Sequence, residues 1–305
     1  MDENAATARP ECYRKIWRAP QPSMLVKDDR AFKEEHRIRG YEVGPDRRTT
    51  MITIANLLQE VASNHAVAMW GRTEEGFAID PEMAKKGLIF VMTRMQIQMD
   101  CYPTWGEVVK FETWFQESGR MRAQRDWVVR NDAGEEIGRA TSTWVMINMH
   151  TRRLSKIPES IRERYEWFQM SPPANAIHES RTRLKLPDVL SEEEADVLPQ
   201  IARISDMDMN GHINNVTYTG WVLETVPEQV QKEMQLYQIE IDYKSECRSG
   251  DLVHPLAEQC DTPDVLMQNG AGDNALSFVH SLMRTDEDSK SSEIVRARTV
   301  WKIVE

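Results

Sequence analysis

A chain of 305 residues with 40% apolar content is long enough for two compact units, each with its own core. Acidic residues outnumber basic ones by 49 to 38, a net charge of -11, which argues against nonspecific binding of nucleic acid or an anionic membrane and requires any acidic partner to find a local basic patch. The cysteines Cys12, Cys101, Cys247 and Cys260 show no C-x-x-C pair and no zinc-ligand spacing, so no metal is expected; no apolar run approaches the ~20 residues of a spanning helix.

Residues 1–32 are polar and proline-containing without a sustained period, and read as an N-terminal arm. Residues 51–69 place Ile54, Leu57, Leu58, Val61, Ala62, His65 and Ala68 at spacings of three and four, the stripe of an amphipathic helix. The period then drops to two. In "VMTRMQIQM" (91–99), Met95, Ile97 and Met99 alternate with Arg94, Gln96 and Gln98, as in a strand with one buried face. Strand-like runs follow at 107–116, 122–130 and 136–148, the last two joined by "NDAGE", a hairpin loop. After a charged, proline-spotted stretch the order returns: a helix near 213–225, then strands at 237–244, 252–260, 275–284 and 293–304. "SEEEAD" (191–196) and "RTDEDSKSSE" (284–293) read as solvated loops. The division expected is 1–32 arm, 33–165 first unit, 166–198 linker and 199–305 second unit.

The repetition also leaves letters. "RATSTW" (139–144) echoes "RARTVW" (296–301), and "WGEVV" (105–109) echoes "SGDLV" (249–253). Their common order favours a duplicated α+β unit, a long helix buried against a curled antiparallel sheet, with the two sheets able to pair edge to edge.

Chemistry concentrates in "DMDMNGHINNVTYTGWVLE" (206–224) at the start of the second helix. The matching place in the first copy reads "GPDRRTTM" (44–51), so Asp208, Asn210 and His212 occur in one copy only, which points to one active site per chain. The structural alternative is that Asp208 or Asn210 is an ordinary N-cap. The functional one is that a helix start offers unpaired N–H groups to a developing oxyanion. A second candidate is "KSECRSGD" (244–251). Glu246 and Cys247 are neighbours, so in extended chain they point to opposite faces. Glu246 suits a general base for water, and Cys247 a nucleophile if a histidine favours its thiolate; burial is the competing fate of the cysteine. His65 lies on the apolar side of the first helix. Basic runs at 119–125 and 151–156 are solvated faces or an acidic-partner dock. No G-x-S-x-G, P-loop or dinucleotide fingerprint is present.

These letters resemble a known family. "DMDMNGHINNVTYTGWVLE" is similar to the D-x-N-x-H-x-N-N-x-x-Y-x-x-W-x-L-E signature of plant and algal acyl-acyl carrier protein (ACP) thioesterases, and "YEVG" (41–44), "IANLLQEVASNHA" (54–66), "RATSTWVMIN" (139–148), "TRRLSKIP" (151–158) and "SEC" (245–247) follow in the same order. The resemblance implies a tandem hotdog fold, hydrolysis of fatty acyl-ACP thioesters without a cofactor, and a plastid stroma location after removal of a transit peptide apparently absent from this chain. It leans to the oleoyl-type class, hence long chains. By position the catalytic residues fall on Asp208, Asn210, His212, Glu246 and Cys247. Gly211 stands where glutamine is common and Ser245 where arginine is common. The fatty acyl chain is expected in the first unit along Ile54, Leu58, Val61, His65, Met95 and Ile97. ACP is expected on Arg120, Arg122, Arg125, Arg152, Arg153 and Lys156, and a homodimer is compatible with this reading. The rivals are a hotdog acyl hydratase or dehydratase and a non-catalytic ACP-binding module.

Overall fold

The computed structural model describes residues 23–26, 30–71, 80–117, 119–178, 184–189, 197–272, 274–285 and 291–303. Helix α1 (Met51–Trp70) starts where the Thr50 hydroxyl accepts the Thr53 N–H (3.1 Å) and stops at Gly71, whose φ of 75° ends the turn. Its stripe of Ile54, Leu57, Leu58 and Val61 is buried against strands β2 (Ala31–Arg37), β3 (Leu88–Met99), β4 (Val108–Glu117), β5 (Arg122–Arg130) and β6 (Glu136–Asn148). The second unit repeats the plan on a smaller helix, α4 (Asn215–Leu223), with β7 (Gln200–Ile201), β8 (Met234–Tyr243), β9 (Leu252–Cys260), β10 (Leu276–Thr285) and β11 (Ser291–Ile303). Two short helices, α2 (Pro81–Lys85) and α3 (Glu159–Phe168), belong to the first unit's flank.

All these strands, with β1 (Ser23–Val26), form one antiparallel sheet in the order β1-β2-β4-β5-β6-β3-β8-β11-β10-β9-β7. Outward from the β3–β8 seam both halves run in the same sequence of strands, and Met95 and Ile97 meet Ile241 and Ile239 across it. The duplication extends to single bonds. Trp144 Nε1 donates to Ser142 Oγ (2.7 Å) as Trp301 Nε1 donates to Thr299 Oγ1 (3.0 Å). Ile38 N–H reaches Glu107 O (2.9 Å) as Ala202 N–H reaches Asp251 O (3.0 Å).

Two expectations change. Part of the arm is sheet: β1 and β2 pair with each other and β2 with β4. The period of "AFKEEHR" is disguised because Glu34, in phase with Phe32, is itself buried, where Asn64 Nδ2 donates to it at 2.9 Å. The stretch after α3 is also more than a spacer. It lies on the sheet face away from α1, where Trp114 Nε1 donates to Ala174 O (2.7 Å) and Ala176 N–H to Asp126 Oδ1 (3.0 Å). The tract 191–196 lies outside the described residues, as do 286–290; the ends of the other charged run continue β10 and β11.

Candidate active site

The turn carrying Asp208, Asn210 and His212 is a closed loop pinned by the Met207–Ile213 bridge. Asp208 organises it: one carboxylate oxygen accepts the N–H groups of Asn210 (2.8 Å) and His212 (3.3 Å), and the other accepts Asn210 Nδ2 (3.0 Å). The helix cap is a different residue. Asn214 Oδ1 accepts the Val216 N–H (3.0 Å) and its carbonyl the Thr217 N–H (2.9 Å). Asp208 and Asn210 are therefore not caps, and the N–H groups of Val216 and Thr217 in the first turn of α4 are already committed. His212 is exposed, and among the described residues its ring makes no hydrogen bond.

The first unit contains the same turn without the chemistry. Gly44 N–H donates to Arg48 O at 2.8 Å, as Asp208 N–H does to His212 O, and Arg47 (φ 65°) holds the left-handed place of Gly211 (φ 77°). There the turn is zipped to the loop after β3: Thr49 N–H donates to Pro103 O (2.8 Å) and Trp105 N–H to Arg47 O (3.0 Å). That loop has its own duplicate, since Thr104 N–H meets Glu107 Oε2 (2.7 Å) as Arg248 N–H meets Asp251 Oδ2 (2.8 Å). Glu246 and Cys247 thus take the places of Tyr102 and Pro103. Among the described residues no backbone hydrogen bond joins 211–213 to 247–249. The two candidate segments correspond to two that are zipped together in the first unit, but in the second unit no hydrogen bond among the described residues brings Asp208, Asn210 or His212 to Glu246 or Cys247.

Within that loop the neighbours part. Glu246 keeps 45% of its side chain exposed, and Arg152 Nη2 donates to its carboxylate at 2.7 Å. Cys247 is 3% exposed, its N–H held by the Tyr218 hydroxyl at 3.0 Å. Burial, reinforced by the Asp251 carboxylate, pushes the Cys247 thiol up to about 12. Sequence reasoning missed Tyr218 and Arg284, which donates to Glu246 O at 2.8 Å; no signal in the sequence joined Arg284 to this loop, while Tyr218 lay in plain view within the motif.

The expected acyl-pocket residues Ile54, Leu58, Val61, Met95 and Ile97 form one closed core against β3. His65 is fully buried and stacks on Phe32 (5.6 Å). Its Nδ1 lies 2.9 Å from Arg125 Nη1. Arginine only donates, so Nδ1 accepts and the proton sits on Nε2, which is buried and has no hydrogen-bond partner among the described residues. Burial first, then the Arg125 charge, holds His65 neutral. Arg125 corrects the docking expectation: at 7% exposure it faces inward with Trp127, and burial lowers it to about 10. Its counterpart by register is Phe278. Arg120, Arg122, Arg153 and Lys156 are exposed, and the Ile157 N–H to Arg120 O bond (3.0 Å) brings the two basic runs side by side.

A cleft of about 420 Å³ opens between α1 and α4, lined by Ile52, Asn56, Asp206, Asn214 and Trp221 and by none of the candidate catalytic side chains. A void of about 10 Å³ lies between Phe90, Phe115, Ile157 and Tyr165 in the first unit. Among the described residues no group of histidine, cysteine or carboxylate side chains is placed to hold a metal, and no helix is long and apolar enough to cross a membrane.

The models of the acyl-ACP thioesterase N-terminal and C-terminal domains match residues 29–165 and 191–303. The chain belongs to the acyl-ACP thioesterase family. This acyl-ACP thioesterase is 40% identical over 287 residues to oleoyl-acyl carrier protein thioesterase 1, chloroplastic, of Arabidopsis thaliana, covering 91% of this chain and 78% of that one. The palmitoyl enzyme of Gossypium hirsutum, also chloroplastic, is 38% identical over 296 residues, covering 94% and 69%. Identity therefore separates the two classes only weakly. The solved 12:0-ACP thioesterase from Umbellularia californica superposes with a TM-score of 0.77 at 31% identity, covering 91% and 95%. The fold is the tandem hotdog, and the enzyme is a thioester hydrolase that ends fatty acid synthesis by cleaving acyl-ACP.

Proposed function

We propose that this thioesterase releases long-chain free fatty acids in a plastid by attack of water on the thioester carbonyl, with Glu246 as general base. The observation that carries this reading is the divergence of two adjacent side chains: the Cys247 thiol is buried and held protonated, whereas the Glu246 carboxylate meets solvent. Glu246 takes a proton from water as the oxygen bonds to the acyl carbon, the C–S bond breaks, and the proton passes to the departing thiolate. Thiolate leaves readily, so the remaining task is the oxyanion. Asn210 spends one amide hydrogen on Asp208 and keeps the other for that oxygen; Asp208 fixes the turn, and His212 assists Glu246.

The acyl chain is placed in the first unit beside Ile54, Leu58, Val61, Met95 and Ile97, a core that is closed here and has to part to admit it, with His65 and Arg125 as polar groups in its wall. ACP, an acidic protein, docks on Arg120, Arg122, Arg153 and Lys156, whose exposure and adjacency support an electrostatic dock. The test is free fatty acid release from a panel of acyl-ACP thioesters. Release greatest for long chains is expected. Binding of ACP without release would instead indicate a non-catalytic module, and hydration or dehydration of the acyl chain without release would indicate the hydratase class.

A further inference from the structure

Glu246 belongs to the second unit, but the guanidinium on its carboxylate comes from the first. Arg152 stands in the turn after β6 at φ 58°, a left-handed backbone that favours glycine. The turn enforces this conformation. Arg152 N–H donates to Asn148 O (2.8 Å), Asn148 N–H to Arg153 O (2.9 Å), and Asn148 Oδ1 accepts the N–H groups of His150 (3.0 Å) and Thr151 (2.9 Å). An ion pair this exposed, 56% and 45% for the two side chains, adds little to stability. A large side chain held at a strained position for little stability invites another explanation.

The other groups around Glu246 act elsewhere. Arg284 from β10 donates to the Glu246 backbone carbonyl and pairs with Asp251 (3.5 Å), ordering the loop rather than the carboxylate. Tyr218 from α4 and the Cys247 thiol are kept protonated by burial. Lys244 pairs with Glu293. The His212 ring makes no hydrogen bond among the described residues, and Arg248 turns its backbone N–H to Asp251.

We propose that Arg152 is a positioning residue for Glu246, a cross-unit ion pair that orients the carboxylate, rather than a contact for the carrier protein. The guanidinium occupies one carboxylate oxygen at 2.7 Å. The second oxygen is left to take the proton from water. The proposal rests on Glu246 being the base.

The experiment measures kcat and KM for acyl-ACP hydrolysis by the wild type, Arg152→Gly, Arg152→Met and Arg152→Lys, with Glu246→Gln as control. Glycine accepts the left-handed turn, so Arg152→Gly removes the side chain and leaves the backbone unstrained. In Arg152→Gly and Arg152→Met kcat should fall about tenfold with KM within about twofold, and lysine should restore part of kcat. An unchanged kcat with a raised, salt-dependent KM would make Arg152 a docking contact and overturn the proposal, as would unchanged kcat and KM in Arg152→Gly and Arg152→Met. Near-normal turnover by Glu246→Gln would remove the base assignment itself, a failure distinguishable from an unchanged Arg152→Gly beside an inactive Glu246→Gln.

Discussion

At Cys247 the backbone N–H is taken by Tyr218 and the thiol is buried facing Asp251. With the thiol pushed up to about 12, thiolate is scarce at pH 8. Alkylation of the folded protein followed by peptide mass spectrometry should therefore label the exposed Cys101 well before Cys247; equal labelling rates would contradict the environment described. That Glu246 and Cys247 face apart was legible from their adjacency. Arg125 was misread because its charge outweighed its phase: it is two residues from Trp127 and four from Val129, so the alternation of β5 turns it inward. The buried histidines set a pH dependence. His280, between Thr225 Oγ1 (2.7 Å) and Thr299 Oγ1 (2.9 Å), is pushed by burial to about 3, and His65 also lies well below its usual value. Below about pH 6.5 the unfolded chain binds protons that the folded histidines refuse, so each removes up to about 1.4 kcal/mol of stability per pH unit as pH falls. Asp126, raised by burial to about 6, works in the opposite direction below that pH and offsets part of this. Tm should fall between pH 7 and pH 5, and His280→Gln should reduce the fall; an identical fall in the variant would contradict it.

The duplicated turns show what one element can be made to do. Both hold a left-handed residue at the same place, Arg47 in the first unit and Gly211 in the second. A methyl group at Gly211 would meet nothing nearer than Met207 Cε at 4.0 Å, so substitution there costs backbone conformation alone. Gly211→Ala should lose about 1 kcal/mol in urea unfolding and Arg47→Gly should gain up to about 1 kcal/mol; matching signs for the two would contradict the shared geometry. The helices and long strands were legible from their periods because each has one apolar face. β2 was not, since Glu34 sits in its buried phase paired to Asn64, and the true cap Asn214 was hidden among several residues able to cap. The missing zipper between 211–213 and 247–249 could not be read at all. It is a relation between two loops far apart in sequence, visible only against the closed copy in the first unit.

Across the whole molecule the two units are joined by the β3–β8 seam, whose face away from the helices is polar and buried. Glu240, fully buried, accepts Arg298 Nε at 2.9 Å and Arg94 Nη2 at 3.1 Å, with Gln96, Gln98 and Gln238 alongside. Removing the carboxylate leaves the Arg298 guanidinium buried and uncompensated, while Arg94 keeps Asp242 (3.2 Å). Glu240→Ala should therefore cost about 3–5 kcal/mol by denaturant unfolding, and a loss below about 1 kcal/mol would show the seam to be held by the apolar face instead. That seam also sets Arg152 of one unit against Glu246 of the other, so the candidate site depends on both halves. In the proposed mechanism the carboxylate, not the thiol, makes the nucleophile. Steady-state release of free fatty acid from acyl-ACP by Glu246→Gln and Cys247→Ser beside the wild type distinguishes the two. Glu246→Gln should lose about 10²-fold or more in kcat while Cys247→Ser stays within about tenfold; near-normal turnover by Glu246→Gln with an inactive Cys247→Ser would contradict the account.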